Sequence, residues 1–418
     1  MPRYFKTSIT ALTLLGASLL YGYGVTASAA TYVDSGSAAG AQCSTSSVND
    51  SAQAVGNCSS ATVSANSNPW YAASLSGPQQ VLPPLVNGQP CSVEAIANSG
   101  WMLGSCANAA NLSFAVFWNA ATPSGLPTAT APLPGTLLFP LLRPADVQTV
   151  PTALNLLGAA LAQSISATLQ ATVVLYTPGN ATPQRVSNYG DNCAGIDVNN
   201  TLINGYPSVV MNCPGANATP KPTVATWNGS SYVLTALASP SGASYCWAVG
   251  MNDQLQVVGT CVFSGATGDV PQTAFWGTPS SAPLLLTMPL NAQNYAVSIN
   301  IHGHILAYGR DPSGFEKALF WPDPTNSFSV QSIQPLPGSV QTNAVGLADN
   351  DTVALNSFDA NQYPSGASWD SANNTVAIAP LLGGRKSQLG GITRSGAIVY
   401  GTATDSTLNY RAVGATLP

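Results

Sequence analysis

Few side chains in this 418-residue sequence could carry chemistry, and they are quickly named. His302 and His304 flank a glycine in Ile301-His302-Gly303-His304-Ile305. Two imidazoles this close could serve as a general base or as half of a metal site. No third ligand stands near them, and no Gly-x-Ser-x-Gly nucleophile accompanies them, so a serine-hydrolase arrangement has nothing to rest on. The pair reads as an exposed hairpin tip plus a strand residue. Glu94 and Glu316 are the only glutamates, so a carboxylate pair of the glycosidase kind would have to be assembled from scattered Asp. Asp349-Asn350-Asp351 lacks the Gly and distal Glu of a calcium loop and reads as a turn. Neither a metal nor a cofactor is assigned. Trp101 and Trp247 fall outside the regular register of the other tryptophans. They are the aromatic candidates for stacking on a ligand, with His302 and His304 as the polar ones, all four weakly indicated.

The eight cysteines show no clustered thiolate spacing of the C-x₂₋₄-C type that a zinc site needs. Cys43 and Cys58, Cys91 and Cys106, and Cys246 and Cys261 each lie 15 residues apart, and Cys193 and Cys213 lie 20 apart. Four local disulfides follow from these spacings, which fits an oxidising compartment. The first residues point the same way. Arg3 and Lys6 precede an apolar run from Ile9 to Leu20, and Ala27-Ser28-Ala29 or Ser28-Ala29-Ala30 offers a cleavage site. The run is shorter than the roughly 20 apolar residues of a membrane span. Residues 1–29 are therefore expected to be a signal peptide and 30–418 one exported domain, secreted, periplasmic or at the cell surface, with no transmembrane segment.

Charged residues make up 6% of the chain, against about 25% in an ordinary soluble domain. Disorder is excluded by a 45% hydrophobic content with 8 Trp and 15 Tyr. Acidic residues outnumber basic ones, 16 to 11, with no basic stripe. Nucleic acid and anionic membranes are thereby unlikely partners.

The elements that must position these side chains come from a repeat. Each cysteine pair brackets two apolar-alternating runs around Asn with Asp, Ser or Gly, which is a β-hairpin signal. The hairpin recurs without cysteines near Asn300, Asn350 and Arg394, and in degenerate form near Asn155. The turn markers Asn49, Asn98, Asn155, Asn199, Asn252, Asn300, Asn350 and Arg394 are 44 to 57 residues apart. A second marker follows each turn, a small residue leading into an aromatic strand, as in Ala274-Phe275-Trp276 and Ala318-Leu319-Phe320-Trp321. A Leu-Pro-rich run then precedes the next hairpin. A unit of about four short strands cannot bury both faces of its sheet alone, so copies must stack, and this period suits propeller blades. The expectation is an all-β chain, a β-propeller of about eight four-stranded blades. The N-terminal Thr31-Tyr32-Val33 and the last strand around Ala412 complete one blade and close the ring.

Residues 119–172 depart from the pattern. Pro-rich sequence after Thr122 replaces clean strand signal, and Leu154, Leu157, Leu161, Ile165 and Leu169 have helical spacing. A helix here would leave seven blades. The distance from Asn155 to Tyr176 equals that from Asn300 to Trp321 and favours a degenerate blade.

These repeats resemble those of the HAF-repeat family of bacterial extracellular proteins. Units of that family carry a His-Ala-Phe-Leu-Trp strand and a Ser-x-Ala-x-x-Ile-Asn-x-x-Gly-x-Val-Val-Gly hairpin. Ala274-Phe275-Trp276, Ala318 to Trp321, Ala296 to Asn300 with Gly303, and Gln256-Val257-Val258-Gly259 match them. The likeness covers most of the chain after the leader and is clearest from 225 to 325. The initial His is missing, replaced among others by Thr273 and Lys317, so no role of that His carries over. The resemblance implies export and repeat structure without a defined activity. The leading functional expectation is a monomeric extracellular module that binds or adheres to a glycan, another surface polymer or a protein. A secreted carboxylate-dependent lyase or hydrolase, and a structural envelope protein, are the alternatives.

Overall fold

The computed structural model describes residues 30–36, 41–60, 63–136, 143–265, 268–287, 293–311, 313–372 and 374–418. The signal-peptide reading concerns residues 1–29 and lies outside them. The described chain forms eight four-stranded antiparallel sheets, an eight-bladed β-propeller. Blades 1 to 7 cover residues 41–81, 91–129, 148–185, 194–236, 243–286, 294–333 and 339–377, each with its strands in sequence order. Blade 8 joins Ser387–Ile392, Ile398–Thr404 and Tyr410–Thr416 to an outer strand, Val33–Asp34, from the other end of the chain. Val33 pairs with Gly414 and Asp34 with Val413, the closure expected from the sequence. Tyr32, 3% exposed, is buried behind this strand and donates its N–H to the Ala379 carbonyl after blade 7.

The doubtful stretch is a blade. Gln148–Leu154, Ala160–Ile165 and Ala171–Tyr176 pair in register and Gln184–Arg185 completes the sheet. The leucine spacing misleads because i and i+4 share a face in a strand as well as in a helix. Leu161 and Ile165 belong to one strand, whereas Leu157 and Leu169 sit at turns, 47% and 78% exposed. The phased tryptophans belong to the core. Trp70, Trp118, Trp276 and Trp321 are at most 2% exposed, packed within aliphatic clusters between blades.

Every blade breaks register at least once between its first two strands, for example between Thr45 and Ser47, Val93 and Ala95, and Ala248 and Gly250. Such a bulge bends the innermost strand and re-aims its side chains. It also brings the backbones close. A Cβ on Gly56 would lie 2.0 Å from the Ser44 carbonyl, and one on Gly259 would lie 2.1 Å from that of Trp247. The glycine that ends these hairpins in the sequence is therefore a requirement of the bulge. An Asn in the second strand then ties the blade to its successor: Asn57 exchanges two hydrogen bonds with the Val93 backbone, Asn212 with Ala248, and Asn356 with Leu389.

Candidate functional site

The first strand of each blade lines a central channel, and the turn after it forms one mouth. The innermost strands contribute one aliphatic side chain each at the waist: Val48, Ile96, Leu154, Val198, Met251, Ile299, Leu347 and Ile392. Above them lies a cavity of about 300 Å³ walled by all eight blades.

Immediately beyond the aliphatic ring, the turns are joined by hydrogen bonds around the whole circle. Asn49 Nδ2 donates to the Ala97 carbonyl and Ser99 N–H to that of Leu156. Asn155 Nδ2 donates to Asn199, and Asn200 N–H to Asp253 Oδ1. Asn252 Nδ2 reaches the Asn300 carbonyl, Asn300 Nδ2 that of Ala348, and Asp349 N–H that of Arg394. Ser395 N–H closes the circle on Asp50 Oδ1. Asn49, Asn155, Asn252 and Asn300 each also accept two backbone N–H bonds from their own turn through Oδ1. This dual use explains why Asn, with both a donor and an acceptor on a short side chain, recurs there. The turn markers read from the sequence are not all equivalent: Asn98 and Arg394 occupy the next position, alongside Asp50, Asp253 and Asp349, and Asn350 the one after.

That second position holds the charges. Arg394 Nη2 donates to Asp253 Oδ2 at 2.8 Å and its Nε to Asp349 Oδ2 at 2.7 Å. Burial alone would lower the Arg394 pKa, but the bond and charge of Asp349 with the charge of Asp253 hold it above its usual value. Burial likewise works to raise the Asp50 pKa, yet bonds from Asn98 and Ser395 and the Arg394 charge keep it below the ordinary carboxylate range. Asp197, in the channel wall, behaves oppositely. Burial pushes it up to about 6, although the Met251 and Val198 N–H groups donate to its two oxygens and Arg394 opposes the rise. Asp50, Asp253 and Asp197 were not among the residues singled out in the sequence; Asp349 was read there as part of a turn, and Arg394 as the one non-Asn turn marker.

The four candidates do not converge. His302 and His304 are neighbours on blade 6, ring centroids 5.7 Å apart, near this mouth. His302 is exposed. His304 Nδ1 lies 2.7 Å from Asp351 Oδ1, which also accepts from Asn300 Nδ2, and its ring meets the edge of Phe320. Trp101 is wedged between blades 2 and 3 against Phe117, where a Cβ on Gly179 would meet its ring at 2.5 Å. Trp247 is half-buried on the innermost strand of blade 5, stacked on Tyr245. Among the described residues no group of three His, Cys, Asp or Glu could hold a metal ion. The four predicted disulfides are all formed, at the hairpin ends opposite the turns.

On that opposite face a second cavity, about 240 Å³, opens between blades 7 and 8 and is lined by Tyr363, Arg385, Lys386, Thr404, Leu408 and Tyr410. Tyr363 and Tyr410 are each 49% exposed and Leu408 63%. Lys386 Nζ lies 4.5 Å from the centre of the Tyr363 ring. The Arg385 and Lys386 N–H groups both donate to Thr404 Oγ1, which fixes the dipeptide. No signal in the repeat pattern marked this site, which combines the connection between blades 7 and 8 (Arg385, Lys386) with strand ends and loops within the two blades.

No family model matches the chain, and neither does any curated protein. Solved structures do. The chain is similar to a prolyl oligopeptidase B from Galerina marginata, at 10% identity and a TM-score of 0.56, over 88% of this chain and 56% of that one. It is similar also to one of two prolyl endopeptidases, at 14% identity and a TM-score of 0.53, over 84% of this chain and 48% of that one. The chain thus spans about half the length of these peptidases, and at such identity the likeness is one of fold alone.

Proposed function

We propose that this protein is an exported binding module, not an enzyme, and that it engages an extracellular glycan or surface polymer on the face opposite the hairpin turns. One observation carries the reading: exposed tyrosines and two adjacent cations gather around the cavity between blades 7 and 8, in a chain with very few charges. Aromatic faces beside polar groups that fix orientation are the ordinary makings of a ligand site. The channel offers less. The Asp253 and Asp349 carboxylates are held by Arg394, and Asp197 by two backbone amides, so a lyase or hydrolase would have to disrupt the ring to use them.

Export is supported by the leader sequence and by four disulfides. Among the described residues no helix is long and apolar enough to cross a membrane. Membership of the HAF-repeat family is supported by the fall of its hairpin and Ala-aromatic motifs on the first three strands of a blade. A monomer is supported by the outer strands, most of them two or three residues long, which give another sheet edge little to pair with. The test is a glycan and polymer array followed by product analysis. Retention without new reducing ends or unsaturated products is expected. Product release would overturn the reading in favour of an enzyme.

A further inference from the structure

We infer that the cavities on the two sides of blade 8 form one groove for an acidic polysaccharide, engaged at two subsites that meet at Tyr410. The inference rests on the binding reading above and specifies its ligand. The first subsite is the cavity between blades 7 and 8. The second, about 300 Å³, lies between blades 8 and 1 and is lined by Gln42, Ser44, Asn57, Ser59, Thr402 and the Cys43–Cys58 disulfide, with Tyr410 as the residue common to both. Packed sheets are about 10 Å apart, so the two subsites are offset by more than one sugar ring. A monosaccharide can fill one of them, and a chain is needed to fill both.

The subsites differ in chemistry, and the difference names the ligand. Arg143, Arg310, Lys317, Arg394 and Arg411 each have a carboxylate within ion-pair distance. Among the described residues Arg185, Lys221, Arg385 and Lys386 have none; of these only Arg385 and Lys386 are adjacent, and Lys386 rests on the Tyr363 ring. In a protein of net charge −5, two adjacent cations without a carboxylate partner are a place where an anion can be bound. A guanidinium beside an ammonium suits a carboxylate or sulfate on a sugar. The blade 8/1 cavity is neutral, and the hydroxyls of Ser44, Ser59 and Thr402 in its lining match sugar hydroxyls. Its floor is held across the blades: Gln42 Oε1 accepts the Tyr410 N–H at 2.7 Å while Gln42 Nε2 donates to Asn409 Oδ1 at 2.9 Å. Tyr410 is thereby fixed between a charged and a neutral subsite, half its surface open to a sugar face.

The experiment is calorimetric titration of the full exported chain with galacturonate oligomers of increasing length, with dextran sulfate, and with uncharged dextran. Uronate or sulfated chains should bind and dextran should not; whichever anion binds more tightly identifies the charged group read. Arg385→Gln with Lys386→Gln should weaken binding by about tenfold or more and leave the melting temperature unchanged, since both side chains reach solvent. Tyr410→Ala should abolish the gain in affinity from short to long oligomers. Equal affinity for dextran, an unaffected double variant, or a monomer that binds as tightly as the hexamer would each overturn the inference. If neutral glycans bind instead and the double variant is without effect, the groove assignment fails while the binding reading stands. If no polymer is retained at all, both fall.

Discussion

Arg394 of blade 8 and Asp253 of blade 5 form an ion pair at 2.8 Å across the channel, between blades that are not neighbours in the ring. The same guanidinium holds Asp349 of blade 7 at 2.7 Å, so one side chain ties three blades at the turn face. Their side chains are between 16% and 28% exposed. Arg394→Ala would leave Asp253 and Asp349 without their cation. Chemical denaturation should show a loss of about 2–3 kcal/mol, somewhat below the cost of breaking a fully buried pair. Arg394→Lys should recover only part of it, because an ammonium cannot fork between two carboxylates. An unchanged midpoint in the alanine variant would mean that the bridge is ornamental.

Asp197 gives the channel a pH signature. Its pKa is raised from 3.8 to about 6 in the folded protein, so the folded state binds this proton more tightly than the unfolded state does. The resulting stabilisation is complete below about pH 4 and is lost as pH rises through about 6. Asp197→Asn cannot titrate and should flatten this part of the profile. Melting temperatures from pH 4 to 8 provide the check, and parallel profiles for the two proteins would contradict the assignment.

The disulfides cross-link hairpins within blades 1, 2, 4 and 5 and never join blades. Non-reducing peptide mapping should return only those four bridges. Replacing Cys246 and Cys261 together by Ser should cost about 3 kcal/mol, the chain-entropy value for a 15-residue loop, and leave the fold intact. Inter-blade bridges in the native protein would be incompatible with this register.

The histidines should separate from each other and from binding. His302 is exposed, so His302→Ala should stay within about 0.5 kcal/mol of the parent. His304→Ala loses the bond to Asp351 and should cost about 1 kcal/mol. Neither should change ligand affinity, because both lie at the turn face. A large effect of either on binding would move the site to the channel mouth.

The repeat, the closure and the disulfide pairs were legible because each leaves a periodic trace. Asn recurs where a turn needs an acceptor and its neighbour a donor, and Gly recurs where a bulge brings two backbones together. What was not legible depends on closing the circle. Arg394 and Asp253 are 141 residues apart, and nothing local announces that they meet. Arg394 was visible only as the basic residue among the turn asparagines, a sign that its position does something the others do not. Leu157 and Leu169 suggested a helix because a spacing of four serves both periods, and only their exposure at turns separates the readings. The groove beside blade 8 was hidden for another reason: Tyr363, Lys386 and Tyr410 come from a loop, an inter-blade connection and a strand end, which do not repeat from blade to blade. Trp101 and Trp247 were singled out for being off register, and they are packed against Phe117 and Tyr245.

The pairing of Val33 with Gly414 has a consequence for how the protein is made. A chain that emerges N-terminus first can assemble blades 1 to 7 as it appears, each from contiguous sequence. The outer strand Val33–Asp34 has no partner, and blade 8 stays incomplete, until the final strand Tyr410–Thr416 is released. Completion therefore comes only at the end of synthesis. A product truncated by as little as that strand would be a nearly full-length molecule with a persistent sticky gap, and so a natural target for degradation.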